Sequence, residues 1–256
     1  MRENGRALVH ARRLSAGVLA ACALAGVTAG TATLAGVTAG TTTLAGAATP
    51  DPTVLYQEAL ASIRSGSVHY ASTATQSGST LLVSGDAGPA SGTQTVRMGG
   101  GTISILVIGG ITYVKGNPTG LEKLVGFSAS EAGPIAGQWI DFPTDASAFA
   151  SVVAGVRSAD VAKELELEGT LTLGRPRTID GMAVDAVEGT QSLGHKTARV
   201  VLYVRAQGRH VPVEEDSVDA KGRATPTEHV VYSAWGEVVR PEAPQATVTL
   251  GPVSST

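Results

Sequence analysis

Hydrophobic and polar positions divide the chain into stretches of different period. Residues 14–50 carry no charge and no amphipathic alternation. Between Pro52 and Ile63 the apolar positions Tyr56, Leu60 and Ile63 recur at helical spacing. Asp51 takes the N-cap, Pro52 the first helical position, and Ser65-Gly66 ends the helix. The period then changes to two. Strands are predicted over Val68–Gln76, Thr80–Asp86, Thr93–Met98, Thr102–Ile108 and Ile111–Lys115, joined by the glycine turns at 99–101 and 109–110. Ile103, Ile105 and Val107 share one face of their strand, whereas Leu106 and Ile108 lie on the other. A strand apolar on both sides needs cover on its second face.

The middle of the chain supplies that cover. Leu121–Phe127 predicts one short helix. Thr144 is placed to N-cap another, with Phe149, Val152, Val153 and Val156 at i, i+3, i+4 and i+7. Ser158 is placed to cap a third, carrying Val161 and Leu165 on one face. Strands then resume over Gly169–Leu173, Ala183–Glu188, Ala198–Ala206, His210–Ser217 and Glu228–Trp235. The stretch from Arg240 holds three prolines and is expected to trail along the surface. Helix, five strands, short helices, five strands: this order predicts an α+β, mainly antiparallel fold, with a strongly curved sheet and helices on one face.

The uncharged front end contains a ten-residue repeat, LAGVTAGTAT at 24–33 and LAGVTAGTTT at 34–43. Two such short copies do not stack into a solenoid. Arg2, Arg6, Arg12 and Arg13 precede it against a single Glu3, and a basic start before an apolar run is the form of an export signal. The arginines stay on the cytoplasmic side, so the chain beyond the apolar run is delivered outside. Three readings of the cut stay open. LAAC at 19–22 matches a lipobox, making Cys22 a lipidated first residue and the repeat a tether. Alternatively, Ala45-Gly46-Ala47 is a small-x-small cleavage site before Ala48 and the protein is secreted. Thirdly, the segment remains as a weakly hydrophobic anchor. Residues 1–47 are therefore read as leader or Ala/Gly/Thr tether, and residues 48–256 as one folded domain with a proline-rich tail.

Beyond Ala47 there are 15 basic and 21 acidic residues, a net charge of −6, which argues against nucleic acid as a partner. Cys22 is the only cysteine, so the exported domain has no disulfide and depends on its core. Three Phe, five Tyr and two Trp are few for sugar- or base-stacking surfaces. Traces of catalysis are sparse. His10, His69, His195, His210 and His229 are scattered, with no HExxH; GFSAS at 126–130 is not a nucleophile elbow; no phosphate loop occurs. Neither a metal nor another cofactor is called for. Glu164, Glu166 and Glu168, and the run Glu214-Glu215-Asp216, read as solvated faces. The stripe of Phe149, Val152, Val153 and Val156 reads either as helix-on-sheet core or, with Leu121, Leu124, Val125 and Phe127, as the apolar lining of a cavity. Periodicity alone does not separate these.

The segments GGITYVKG (109–116), AGQWIDFPTD (136–145), TIDGMAVDAVEG (178–189), ARVVLYVRAQGRHVPVEED (198–216) and YSAWGEVVRPEAP (232–244) occur in an order that resembles the actinobacterial LppX/LprG-type lipoproteins, relatives of the LolA-like lipoprotein carriers. The resemblance covers most of residues 51–249. It implies a half-open antiparallel β-barrel with short helices covering its concave face, a cavity for lipids or lipoglycans, and membrane attachment through a lipidated cysteine, here Cys22. Gln138-Trp139 and Trp235-Gly236 match fold positions of the family. The expected function is then an extracytoplasmic, membrane-tethered protein that binds a lipid or similar apolar ligand without changing it. The alternatives are an envelope interaction or sensory module with a closed cavity, and a hydrolase whose serine and histidine meet on a pocket wall.

Overall fold

The computed structural model describes residues 49–76, 78–143, 152–193, 196–219 and 227–249. Helix α1 (Pro52–Ser65) begins as its sequence requires: the Asp51 carboxylate accepts from the backbone N–H groups of Thr53 and Val54 at 2.8 and 3.1 Å. Leu55, Tyr56, Ala59, Leu60 and Ile63 form its buried stripe, and Gly66 leaves the helix in extended conformation. The alternating segments come next as β1 (Val68–Gln76), β2 (Ser79–Ala87), β3 (Ser91–Met98), β4 (Gly101–Ile108), β5 (Ile111–Gly116) and β6 (Ile140–Pro143). The second half supplies β7 (Glu168–Leu173), β8 (Arg177–Ile179), β9 (Met182–Leu193), β10 (Lys196–Arg205), β11 (Pro212–Asp219), β12 (Glu228–Ser233) and β13 (Val248–Thr249).

All these strands belong to one sheet, in the order β13-β6-β5-β4-β3-β2-β1-β12-β11-β10-β9-β7, with β8 also on β9. Two antiparallel meanders are thus joined where β1 pairs with β12, and β13 on β6 is the parallel exception. The two ends, β13 and β7, are not paired with each other, so the sheet stays open. It is also curved. Helix α4 (Ser158–Glu164) ties the end of β2 to β9, through Ser158 N–H to Gly88 O at one end and Gln191 Nε2 to Glu164 O at the other. The helix rises about 9 Å between those residues, while five strand spacings on a flat sheet measure about 24 Å. Hydrogen bonds and a glutamine side chain do not bridge the difference, so the sheet curls toward the helix. The architecture is the expected half-open antiparallel barrel with helical pieces inside.

Burial alternates strictly along β4, with Gly101, Ile103, Ile105 and Val107 inward. The expectation for its other face is corrected: among the described residues the helical pieces pack against the inner face, with Ile103, Ile105 and Val107. Leu106 and Ile108 stay half-buried on the outer face beside their cross-strand neighbours Tyr113 and Ile111. The tail is corrected as well. Beyond Arg240 it does not merely trail, because Val248 and Thr249 add a parallel strand to β6. Earlier, the Ser67 and Ser91 hydroxyls hold it by donating to the Glu237 and Val239 carbonyls.

Tyr56 links α1 to the segment after α4. Its hydroxyl donates to Leu165 O at 3.1 Å and accepts from Leu167 N–H at 2.6 Å. Burial, the largest influence, raises its pKa above the ordinary 10.0, against a smaller downward pull from the Leu167 hydrogen bond. A tyrosine whose folded pKa lies above its unfolded one contributes stability below the unfolded pKa, and loses it as pH rises through the folded one. Tyr56→Phe is expected to lower the unfolding free energy by about 1 kcal/mol at neutral pH, the worth of a buried hydrogen bond. It should also blunt the loss of stability on alkaline titration above pH 10; denaturant melts across pH 7–11 measure both.

Candidate functional site

Of the residues proposed from sequence to line a cavity, those among the described residues pack into the core on the concave side. Helix α2 (Pro118–Gly120) continues into a π-helical turn, Leu121–Val125. Asn117 anchors this pair to the β3–β4 hairpin: its Oδ1 accepts from Gly120 N–H and Thr102 N–H at 2.7 and 3.0 Å, and its Nδ2 donates to Gly100 O. The helix predicted to run to Phe127 stops earlier, because Gly126 takes φ 100° and both Gly126 N–H and Phe127 N–H close on Leu121 O. Leu121 and Leu124 are fully buried, while Val125 and Phe127 are half-buried against the same core. Helix α3 (Ala129–Ile135) comes after them, opened by a Ser128–Glu131 capping box.

Phe149 and Cys22 lie outside the described residues, as does Thr144. Val152, Val153 and Val156 are buried in the same hydrophobic cluster as Leu121, Leu124, Ile103 and Ile105. The helix predicted from Thr144 does not extend over 152–156, which is a turn with Gly155 at φ 77°, a left-handed conformation that cannot continue a right-handed helix; the earlier part of that prediction lies outside the described residues. Ser158 is not a cap either. It is the first residue of α4, with Arg157 before it, and its Oγ is buried without a hydrogen-bond partner.

The segment 152–157 sits in a seat that the sheet is shaped to receive. Tyr70, Gly85 and Gln94 are neighbours in one row across β1, β2 and β3. A Cβ on Gly85 would lie 2.6 Å from the Tyr70 hydroxyl, so the glycine lets the phenol ring cross it. The hydroxyl donates to Gly155 O at 2.8 Å; Gln94 Nε2 donates to Tyr70 Oη at 2.7 Å and to Ala154 O at 3.4 Å. Gly92 is the floor: a Cβ there would stand 1.8 Å from Val156 O. Beyond it, Gly88 bridges Arg157.

Two features were missed from sequence. Glu215, taken as part of a solvated run, points inward and is 6% exposed, accepting from the Tyr232 hydroxyl at 3.0 Å. Its neighbours Glu214 and Asp216 face outward, pairing with Arg177 and with His229, the latter at 2.7 Å. Ser72 donates to Glu228 at 2.9 Å nearby, at the inner junction of β1 and β12. The second is an outer groove of about 290 Å³ beneath residues 237–241, where His69 meets Asp86 at 2.7 Å. Thr93 donates to that same carboxylate at 3.2 Å, so its hydroxyl is directed at the acid and not at the imidazole. His210 stands 3.6 Å from Glu58, and His195 and His10 lie outside the described residues. Among the described residues no group of three or more His, Cys, Asp or Glu is arranged to hold a metal, and no helix is long and apolar enough to cross a membrane.

No family model and no curated protein matches the chain. Solved structures to which it is similar include LprF from Mycobacterium bovis, at 16% identity over 78% of this chain and 99% of that one, with a TM-score of 0.48. Another is the lipoprotein LppX of Mycobacterium tuberculosis, at 17% identity over 75% of this chain and 99% of that one, TM-score 0.45. The MucA/MucB complex of Pseudomonas aeruginosa aligns at 13% identity over 75% of this chain and 59% of that one, TM-score 0.41. LppX also belongs to the group that the sequence resembles.

Gly92→Ala is expected to destabilise the fold by about 3 kcal/mol, since its methyl group has only main chain to displace. Gly133→Ala, in α3 with only the ring of the following Pro134 to crowd its methyl group, should instead change stability by no more than about 1 kcal/mol. Urea unfolding of the two variants side by side checks the pair.

Proposed function

We propose that this protein is exported, held at the outer side of the cell membrane by its N-terminal segment, and binds a lipid or similar apolar ligand without changing it chemically. The basic, then apolar, leader with Cys22 in a lipobox-like context supports export and tethering. The ordered segments resembling the LppX/LprG-type lipoproteins support the ligand class. One observation carries the reading furthest: beside the fourteen-residue α1, a largely aliphatic inner face is covered by short, separate pieces. Among the described residues these are a three-residue helix with a π-helical turn, a seven-residue helix α3, the turn at 152–156 and a seven-residue helix α4. Shifting such a piece breaks few main-chain hydrogen bonds. Each CH₂ of an acyl chain that then replaces it against the sheet contributes about 0.8 kcal/mol of burial.

The second reading, an envelope interaction module with a closed interior, is favoured by the tight packing of Leu121, Val152 and Val156, each at most 2% exposed in the protein's own core. Lipid extraction separates the two. The chain is exported from a bacterial host, purified without harsh detergent and analysed by mass spectrometry beside an unrelated exported protein. A defined lipid near one per protein is expected, and Val153→Asp should reduce it several-fold. Background lipid alone on a folded protein would favour the interaction module.

A further inference from the structure

Buried hydrogen-bond donors restrict what an apolar interior accepts. On the concave face, Tyr70 is 1% and Gln94 is 4% exposed. Their polar atoms are aimed at the main chain of the segment lying on the sheet: Tyr70 Oη donates to Gly155 O at 2.8 Å, and Gln94 Nε2 reaches Ala154 O at 3.4 Å while also supporting the Tyr70 oxygen at 2.7 Å. Both acceptors are carbonyls, and both sit beside aliphatic side chains, Val152, Val153 and Val156. Gly92, two residues along β3 from Gln94, leaves room for the next carbonyl of the segment, Val156 O. The seat therefore fits a carbonyl flanked by hydrocarbon. At present the chain itself provides that group.

We propose that this seat, floored by Gly92 and headed by Tyr70 and Gln94, is the polar subsite of the ligand and receives the carbonyl of an acyl ester or amide once the segment 152–157 moves out. The inference rests on the lipid-binding reading above and names the class of lipid. A ligand that displaces the segment without bringing an acceptor forfeits the hydrogen bond that Tyr70 gives to Gly155 O, which costs about what one buried hydrogen bond contributes. An acyl lipid satisfies the donor with its ester oxygen and lays its chain where the valines were. A lipid of the same length with an ether in place of the ester does not.

A matched pair of probes tests this on the full chain: a monoacylglycerol and the monoalkylglycerol ether of equal chain length, identical in headgroup. Wild-type protein is expected to bind the ester at least about tenfold more tightly, the factor that one such hydrogen bond gives. Tyr70→Phe and Gln94→Leu, which keep most of the volume, should bring the ratio close to one chiefly by raising the ether affinity, since no hydrogen bond to the segment is then given up on binding. Saturating ester should also speed tryptic cleavage after Arg157, because the occupied seat excludes the segment. Equal affinities for the wild-type pair would overturn the subsite and leave lipid binding standing. Binding of neither probe would overturn both. Ester binding with no change in cleavage after Arg157 would put the ligand elsewhere and sink the proposal.

Discussion

An open sheet with one aliphatic face must bury that face against something other than itself, and the rest of this molecule is a consequence of that need. A closed barrel would bury Ile103, Ile105, Val107, Val200 and Leu202 against one another across its axis. Here the edges β13 and β7 stay apart, so the interior has to be filled by chain that is not sheet. Helix α1 fills one side with Leu55, Leu60 and Ile63; the π-helical turn, Ala132 of α3, the 152–157 segment and α4 fill more of the interior. Curvature is the geometric consequence, since short pieces of chain reach strands far apart in the sheet only if the sheet bends to meet them.

Much of this was legible because period-two alternation and glycine turns are local signals. β1 matches its predicted span, and the other predicted strands differ by a few residues at their ends, while β6, β8 and β13 had no predicted counterpart. Asp51-Pro52 marked α1 for the same reason: capping is decided within four residues. What sequence reading lost was either short or non-local. Ser128 and Glu131 are spaced as a capping box, yet α3 was not proposed from them. Asp180-Gly181, at φ 48° and 79°, is a hairpin turn whose signal was present while β8 on its near side is only three residues long. β13 could not be foreseen, because two residues carry no period and their pairing is with a strand about a hundred positions earlier.

The candidate site shows the same division. Val152, Val153 and Val156 are buried, but their helical spacing is not realised over 152–156, where Gly155 turns the backbone left-handed. Glu215 was read with its neighbours as one charged run, although alternation alone puts the middle residue of three on the opposite face. The seat itself was invisible. Gly85 and Gly92 look like weak points in two strands, and only the partner that each accommodates, a phenol ring in one case and a carbonyl in the other, explains why no side chain stands there.

The way the interior is polar matters more than how much of it is. Tyr56, Tyr70, Gln94 and Gln191 all direct their donors at main-chain carbonyls of the covering segments. Such contacts locate a segment without depending on its side chains, and they are directional, so a displaced segment does not settle into a neighbouring position at equal energy. The aliphatic contacts beside them are the opposite: proportional to area, tolerant of shape and replaceable by any hydrocarbon of similar volume. An interior built from both kinds holds its cover in one defined place and yet offers most of the buried area to whatever replaces it. Under the proposed binding, Tyr70 and Gln94 decide which replacements are accepted, because each needs an acceptor in the position that a peptide carbonyl holds now.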